Sequence, residues 1–138
     1  MIEVGCAIIH KNGKLLIAQR HLHDSFGGYW EFPGGKREEN EAIEACLVRE
    51  AQEELGVRIL PERLLCRREH GHADRRIALF FFFCRWENGE PEAIDCKDFR
   101  WVDREEIRGY KFPPGDLEVL EDLILRWNRY FKTDGNGR

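Results

Sequence analysis

The sequence predicts a single α/β domain in which helices pack against a mixed β-sheet. Short apolar, β-rich runs bounded by turn residues alternate with two stretches whose apolar residues recur at helical spacing. The chain has 138 residues, the size of one ordinary domain. Its hydrophobic content of 42%, including 12% aromatic residues, is enough to build one packed core.

The chain begins with a predicted β-hairpin. Residues Ile2 to Ile9 are apolar and β-rich, "KNGK" at 11–14 is a turn signal, and Leu15 to Arg20 form a second strand. Arg20 therefore lies at a strand end. The polar, glycine-containing segment 21–30 is a predicted loop that includes two histidines, which we expect to be exposed.

The next segment, "EFPGG" at 31–35, cannot be regular helix because Pro33 and a glycine pair interrupt it. A helix is then predicted from an N-cap at Asn40 to about Leu55, with Gly56 as its C-terminal stop.

The second half of the chain contains three more predicted strands, at about 58–68, 77–86 and 99–102. A second amphipathic helix follows "KFPPGD", because apolar residues recur at helical spacing from Leu117 to Phe131. We therefore expect one domain over residues 1–132 and a flexible tail over 133–138.

The C-terminal end of the first helix carries an unusual charge pattern. At about 100° per residue, Glu50, Glu53 and Glu54 continue the stripe begun by Ile43, Cys46 and Leu47. Carboxylates gathered on a partly buried face repel one another and lose hydration, so a positive partner is expected. Donors that are all oxygen suit Mg²⁺ or Mn²⁺. A solvated acidic helix surface is the simpler alternative.

The spacing around these glutamates decides between the two interpretations. Gly35 is followed after five residues by Glu41, and after seven more by "REAQEELGV" from Arg49 to Val57. This pattern resembles the signature of the Nudix hydrolases, G-x5-E-x7-R-E-U-x-E-E-x-G-U, in which U is aliphatic. It spans 23 residues, and only the small Ala51 departs from the usual bulkier residue.

The resemblance implies an α/β/α sandwich around a mixed sheet and hydrolysis of a nucleoside diphosphate linked to another group. It implies that Glu50, Glu53 and Glu54 are catalytic metal ligands and that the carbonyl group of Gly34 or Gly35 adds another. Divalent metals neutralise phosphate oxygens and lower the pKa of the attacking water, which agrees with this chemistry.

Further roles follow from the same resemblance. Glu41 and Arg49 would hold the signature loop and helix together, and Arg49 also meets Glu53 at i,i+4 spacing. The general base comes either from the signature helix or from an acid six residues before a tryptophan. That acid is Asp95, a further candidate metal ligand, and Asp98 competes with it for the role of base.

Segments outside the signature resemble the MutT branch of the family, which acts on oxidised nucleotides, and its CTP pyrophosphohydrolase neighbours. They include "GYWEFPGGK", "DRRIALFFFFCRWENGEP" and "YKFPPGDLEVLEDL". On that pattern Arg20 would contact phosphate, Phe32 would pack on the base, Arg75 would reach the base edge and Asp116 would read it. The alternatives are surface charge for the arginines, core packing for Phe32 and helix capping for Asp116.

Asp116 bears on the choice of base. MutT proteins tend to have asparagine there, which both donates and accepts hydrogen bonds, whereas an ionised aspartate only accepts. The resemblance implies a Mg²⁺-dependent nucleoside triphosphate pyrophosphohydrolase acting on 8-oxo-dGTP or a similar oxidised nucleotide. CTP or a modified dCTP is the alternative substrate, and a non-catalytic nucleotide-binding module is the rival class.

The bulk composition constrains the partners. A net charge of −4 disfavours an electrostatic grip on polymeric nucleic acid or on an anionic membrane, so a small nucleotide is expected. The five cysteines are scattered, without CxxC spacing, as is typical of buried thiols in a reducing cytoplasm. We expect a cytoplasmic monomer or weak homodimer.

Overall fold

The computed structural model describes residues 1–71 and 74–131, in which seven strands form one mixed sheet. The strands are β1 (Ile2–Lys11), β2 (Lys14–Gln19), β3 (Trp30–Glu31), β4 (Gly34–Lys36), β5 (Arg58–His70), β6 (Ile77–Asn88) and β7 (Asp98–Val102). The path of neighbouring strands is β3-β2-β1-β6-β5, with β4 paired to β1 and β7 paired to β2. The β1–β6 pair is parallel and the other pairs are antiparallel.

The helices cover both faces of this sheet. They are α1 (Ile43–Leu55), α2 (Leu117–Leu125) and the single-turn α3 (Trp127–Tyr130). Two 3₁₀ turns, Glu106–Gly109 and Pro114–Asp116, precede α2. One core contains Leu47, Ala51 and Leu55 of α1 against one sheet face. The other contains Leu123 of α2 and Trp127 of α3 against the opposite face. The predicted α/β/α sandwich is confirmed.

Alternation along the hairpin explains why both faces are buried. Ile8 and Ile17 belong to the core beneath α2 and α3, whereas their neighbours Ile9 and Leu16 belong to the core beneath α1. Successive side chains of a strand point to opposite faces, so a hydrophobic run without alternation indicates a strand that is covered on both sides. The hairpin predicted from "KNGK" is confirmed by the antiparallel pairing of β1 and β2.

The first helix begins later than predicted. Its N-cap is Ala42, in an extended conformation, and Asn40 instead has a left-handed φ of 65°. The preceding loop is held in place by hydrogen bonds, because Arg37 Nη1 donates to the Glu41 carbonyl oxygen at 2.9 Å. The predicted stop is confirmed: Gly56 has a φ of 70°, which glycine adopts without strain.

Two other boundaries differ from the prediction. The segment around "EFPGG" contributes the short strands β3 and β4 rather than only loop. The second helix is interrupted at Arg126, because Trp127 turns inward and its Nε1 donates to the Gly13 carbonyl oxygen at 3.0 Å. Residues 72–73 and 132–138, including the predicted tail, lie outside the described part of the chain.

The cysteine side chains are consistent with the buried thiols predicted from their spacing. Four cysteines are buried and Cys66 is half-buried, and all five are free thiols, as predicted. Within the residues that the structure describes, no helix has the length and apolar character needed to cross a membrane.

Candidate active site

A cavity of about 550 Å³ opens where the signature loop, the end of α1 and the 3₁₀ turn before α2 converge. This volume lies within the range of small-molecule sites. Seven of the residues predicted from the sequence border this cavity, which brings the signature and the predicted base-reading residue together. They are Arg20, Phe32, Gly34, Gly35, Glu54, Asp95 and Asp116.

The signature loop packs directly on α1 through Gly35. A Cβ atom at this position would lie 2.5 Å from Cδ of Glu50, so the Glu50 carboxylate would have to shift to admit a side chain. The Gly35 carbonyl oxygen accepts a weak hydrogen bond from Cys46 Sγ at 3.4 Å. The loop backbone therefore lies against the half-buried Glu50 carboxylate, and a side chain at position 35 would displace that carboxylate.

Arg49 joins the loop to the helix. Its Nε donates to Glu41 Oε2 at 2.7 Å and its Nη2 donates to Glu41 Oε1 at 3.1 Å, a two-pronged contact. Its Nη1 donates to Glu50 at 3.0 Å and to Glu53 at 3.1 Å. The hydrogen bond from Arg49 lowers the pKa of Glu41 to about 2, and the same contacts raise the pKa of Arg49.

The three signature glutamates do not share one environment. Glu53 is exposed, since at about 100° per residue it lies on the flank of α1 rather than above Glu50. The expectation of a common, partly buried stripe is therefore wrong for Glu53. Within the described residues, no group of three His, Cys, Asp or Glu side chains is arranged to hold a metal ion. Arg49 binds Glu50 and Glu53, whereas Glu54 borders the cavity.

Of the three signature glutamates, Glu54 is the one that borders the cavity. Its pKa is raised to about 9, first by burial and then by the nearby charges of Glu31 and Glu50. The Gly34 N–H donates to Glu54 Oε1 at 3.4 Å, and no arginine or lysine of the described residues neutralises this carboxylate. A buried acid without a cation fits a hard divalent metal, whose charge would lower this pKa.

Arg20 and Glu31 form an ion pair that also borders the cavity. Arg20 Nη1 donates to Glu31 Oε1 at 2.7 Å, and Arg20 Nε donates to the Ser25 carbonyl oxygen at 2.7 Å. Burial raises the pKa of Glu31, and Arg20 opposes that rise. Arg20 is thus paired with protein groups, whereas the sequence predicted that it contacts phosphate.

The sequence prediction missed Glu31. A charged residue between Trp30 and Phe32, directly before a proline, was its only signal in the sequence. Antiparallel pairing of β3 with β2 places Glu31 opposite Ala18 and next to Arg20. That pairing depends on the fold, so the sequence alone did not identify the ion pair.

Asp116 lies in the cavity and does not cap α2 with its side chain. Burial raises its pKa to about 7, with a further contribution from Glu31 and an opposing one from Arg20. Near neutral pH it therefore exists in both the protonated and the ionised form. A protonated carboxyl both donates and accepts hydrogen bonds.

Phe32 is a core residue that also borders the cavity. It is 4% exposed and packs against Phe112 and Phe81, with ring centroids 5.2 Å and 6.1 Å apart. Arg75, by contrast, is exposed and does not border the cavity. Its neighbours at 72–73 are outside the described residues.

The two candidate bases lie in different places. Asp95 borders the cavity, with its side chain 75% exposed, and its backbone N–H donates to the Glu54 carbonyl oxygen at 3.0 Å. Asp98 does not border the cavity. It accepts hydrogen bonds from the Phe99 N–H at 2.8 Å and pairs with Arg100 at 2.8 Å, and the bond from Phe99 lowers its pKa.

A sequence profile of the NUDIX domain matches residues 4–122. The chain belongs to the NUDIX family. This Nudix protein is 36% identical over 124 residues to the "CTP pyrophosphohydrolase" of Escherichia coli, an alignment that covers 90% of the chain and 92% of the relative. It is 32% identical to the "8-oxo-dGTP diphosphatase" of the same organism, over 88% of the chain and 95% of the relative.

Solved structures give the same assignment. The E. coli ORF135 protein superposes with a TM-score of 0.77 at 33% identity, covering 91% of this chain and 90% of that chain. MutT from Aliivibrio salmonicida and Vibrio cholerae superposes with a TM-score of 0.73 at 28% identity, over 91% and 98%. The protein is therefore a MutT-like Nudix hydrolase.

Proposed function

We propose that this Nudix hydrolase converts 8-oxo-dGTP or a similar oxidised nucleoside triphosphate to the monophosphate and pyrophosphate. The observation that carries the proposal is the single cavity of about 550 Å³ that joins Gly34, Gly35 and Glu54 to Asp116. One nucleotide would place its phosphates at the signature residues and its base at Asp116.

The signature residues fit a divalent cation, Mg²⁺ or alternatively Mn²⁺. Glu50, Glu53 and Glu54 would bind it, together with the Gly34 or Gly35 carbonyl oxygen, and Glu53 and Glu50 would have to exchange Arg49 for the metal. When bound, the cation would neutralise phosphate charge and lower the pKa of the attacking water. Support comes from Glu54, which has no arginine or lysine partner among the described residues, and from a donor set made only of oxygen atoms.

Asp95 is the proposed proton acceptor. The oxygen of a water molecule would form a bond to the β-phosphorus as the bond between that phosphorus and the α–β bridging oxygen breaks. The nucleoside monophosphate leaves, and the water proton passes to the Asp95 carboxylate. The position of Asp95 at the cavity, tied to the end of α1 through the Glu54 carbonyl oxygen, supports this role over Asp98.

Asp116 is the proposed base-reading residue. With a pKa near 7, its protonated form would donate to a carbonyl oxygen and accept from an N–H, the pairing that an asparagine amide makes. Phe32 would close the apolar side of the base pocket while remaining part of the core. This combination favours an oxidised guanine.

CTP or a modified dCTP is the second candidate substrate. Two observations favour it: the similarity to the E. coli "CTP pyrophosphohydrolase" over 92% of that relative, and the aspartate at position 116. When ionised, Asp116 would accept from the exocyclic amino group of cytosine.

The test is a panel of canonical and oxidised triphosphates incubated with the purified protein and Mg²⁺, with pyrophosphate quantified. We expect release of pyrophosphate from 8-oxo-dGTP at the highest kcat/KM. Higher kcat/KM for CTP would make CTP the substrate. No turnover of any triphosphate, together with unchanged nucleotide binding by Glu53→Gln, would favour a non-catalytic binding module instead.

The proposed setting is the cytoplasm, where the protein acts on free nucleotides as a monomer or weak homodimer. The net charge of −4 supports small nucleotides over polymeric nucleic acid as the substrate. Size-exclusion chromatography with light scattering would determine the oligomeric state.

A further inference from the structure

We propose that His21 is a positioning residue that holds the Asp95 carboxylate at the mouth of the nucleotide cavity. The proposal rests on the function proposed above, because it concerns the residue to which we assign the proton acceptor. His21 contacts Asp95 across 74 positions of sequence, with 3.1 Å between Nε2 and Oδ1. Both residues border the cavity.

The Asp95 end of this contact has a fixed backbone but an open side chain. The N–H groups of Ile94 and Asp95 both donate to the Glu54 carbonyl oxygen, at 3.1 Å and 3.0 Å. The Asp95 side chain is 75% exposed, and its side-chain hydrogen bond within the described residues is the one to His21. The contact with His21 is therefore what limits the directions that this carboxylate can take.

The His21 end is braced by the loop that follows β2. Arg20 closes this loop through backbone hydrogen bonds, since its N–H donates to the Tyr29 carbonyl oxygen at 2.8 Å and its own carbonyl oxygen accepts from Gly28 at 3.1 Å. The His21 ring stacks on His23, with centroids 5.3 Å apart and planes 15° apart. The sequence placed both histidines in an exposed loop, but the His21 side chain is only 32% exposed.

The contact with His21 affects catalysis through the orientation of the Asp95 carboxylate. A carboxylate on a solvent-facing segment samples several rotamers, and only some of them point toward a water that attacks phosphate. A ring N–H that binds one carboxylate oxygen selects one orientation and leaves the second oxygen to accept a proton. His21 would thus raise kcat through Asp95 without touching the substrate.

A second pair provides a matched control. His10 and Glu62 are 2.7 Å apart, so they form the same kind of contact, but neither residue borders the cavity. Loss of a histidine–carboxylate contact as such can therefore be separated from loss of the contact at Asp95. Glutamine is the conservative replacement, because its amide nitrogen reaches about as far from the backbone as Nε2 of histidine.

The experiment measures kcat and KM for pyrophosphate release from the preferred triphosphate of the panel. For His21→Ala we expect kcat to fall about tenfold, as for loss of a hydrogen bond to a charged group, with KM within about twofold. His21→Gln should recover most of kcat, and His10→Ala should match the wild type. The double variant His21→Ala/Asp95→Ala should be no slower than Asp95→Ala, because His21 acts through Asp95.

A readout without turnover tests the contact itself. The ring ¹⁵N resonances of His21 should shift in Asp95→Ala, which lacks the acceptor oxygen, and those of His10 should not. Unchanged His21 resonances, an unchanged kcat in His21→Ala, or additive losses in the double variant would each overturn the proposal. Absence of turnover by the wild type on the whole panel would instead overturn the proposed function, and the NMR result would still decide whether the contact exists.

Discussion

The two ends of the cavity are built alike but balanced differently. At the end that we assign to the phosphates, formed by the signature residues, Arg49 binds Glu50 and leaves Glu54 without a cation. At the end that we assign to the base, Arg20 binds Glu31 and leaves Asp116 with a raised pKa.

At each end, the carboxyl group that is not paired with an arginine indicates which ligand that end suits. Burial raises the pKa of Glu54 to about 9 and that of Asp116 to about 7. A divalent cation would neutralise the first, whereas hydrogen-bonding groups of a base suffice for the second. In this comparison, the arginine at each end pairs with one carboxylate, Glu50 or Glu31. It leaves a second carboxyl group, Glu54 or Asp116, available to the ligand. The predictions below test this division, from the largest effect to the smallest.

Replacement of Glu54 should have the largest effect. Glu54→Gln should lower pyrophosphate release by about 10³-fold, because a proposed metal ligand and its charge are lost. The same change should stabilise the metal-free protein by about 1 kcal/mol or more at pH 7, since folding of the wild type requires Glu54 to take up a proton that the unfolded state does not hold at this pH. Pyrophosphate assays and thermal unfolding would measure the two effects.

The raised pKa of Glu54 predicts how the stability of the metal-free protein depends on pH. The folded-state pKa of Glu54 is raised from 4.5 to about 9, so the folded state binds a proton that the unfolded state releases between those values. Stability of the metal-free protein should therefore fall as pH rises through that window, and less so in Glu54→Gln. Glu53→Gln is the control, because Glu53 is exposed and should lose activity without gaining stability.

Removal of Arg49 should have the next largest effect. Arg49→Met should lower activity about 10²-fold, the range seen when groups that orient metal ligands are lost. It should also reduce the loss of free energy of unfolding that the wild type shows as pH falls into the acid range. The folded-state pKa of Glu41 is about 2, so its contribution is present above about 4.5 and is lost as pH falls toward 2.

Arg49→Lys is the matched variant for this test. It keeps the positive charge but cannot make the two-pronged contact with Glu41. Intermediate activity is expected, measured together with unfolding at several pH values. Wild-type activity in Arg49→Met would show that the loop and the helix hold together without this residue.

Asp116→Asn should change selectivity rather than abolish activity. We expect the ratio of kcat/KM for 8-oxo-dGTP to that for CTP to change about tenfold, the effect of one or two hydrogen bonds. In the wild type this ratio should fall as pH rises through about 7, because Asp116 loses the proton that it donates to the oxidised guanine. The ratio in Asp116→Asn should not vary over this range, and a wild-type ratio independent of pH would contradict the assignment.

Arg75→Ala should have the smallest effect. Arg75 is exposed and outside the cavity, so KM for the preferred triphosphate should change by no more than about twofold, as is usual for a surface charge. A larger rise in KM, with kcat unchanged, would return Arg75 to the base end of the site. Arg100→Ala is a suitable comparison, because Arg100 is likewise exposed and outside the cavity.

The strand and helix order was largely readable from the sequence, and the exceptions have local causes. The hairpin and the Gly56 stop depend on turn residues and short-range periodicity, which the chain carries itself. The start of α1 shifted from Asn40 because Glu41 and Arg37 hold the preceding loop. The break at Arg126 arises from a contact of Trp127 with Gly13, far away in sequence.

The sequence by itself determined the spacing of the residues that we assign to the phosphate end. Glycine, arginine and glutamate at fixed spacing lie on one loop and one helix, and helix geometry places residues four apart on the same side. Only the tertiary structure decided the base end and the contact of His21 with Asp95. Pairing of β2 with β3 brings Glu31 beside Arg20, and the folded sheet brings together residues 74 positions apart. Such contacts depend on strand pairing and burial, which local spacing does not specify.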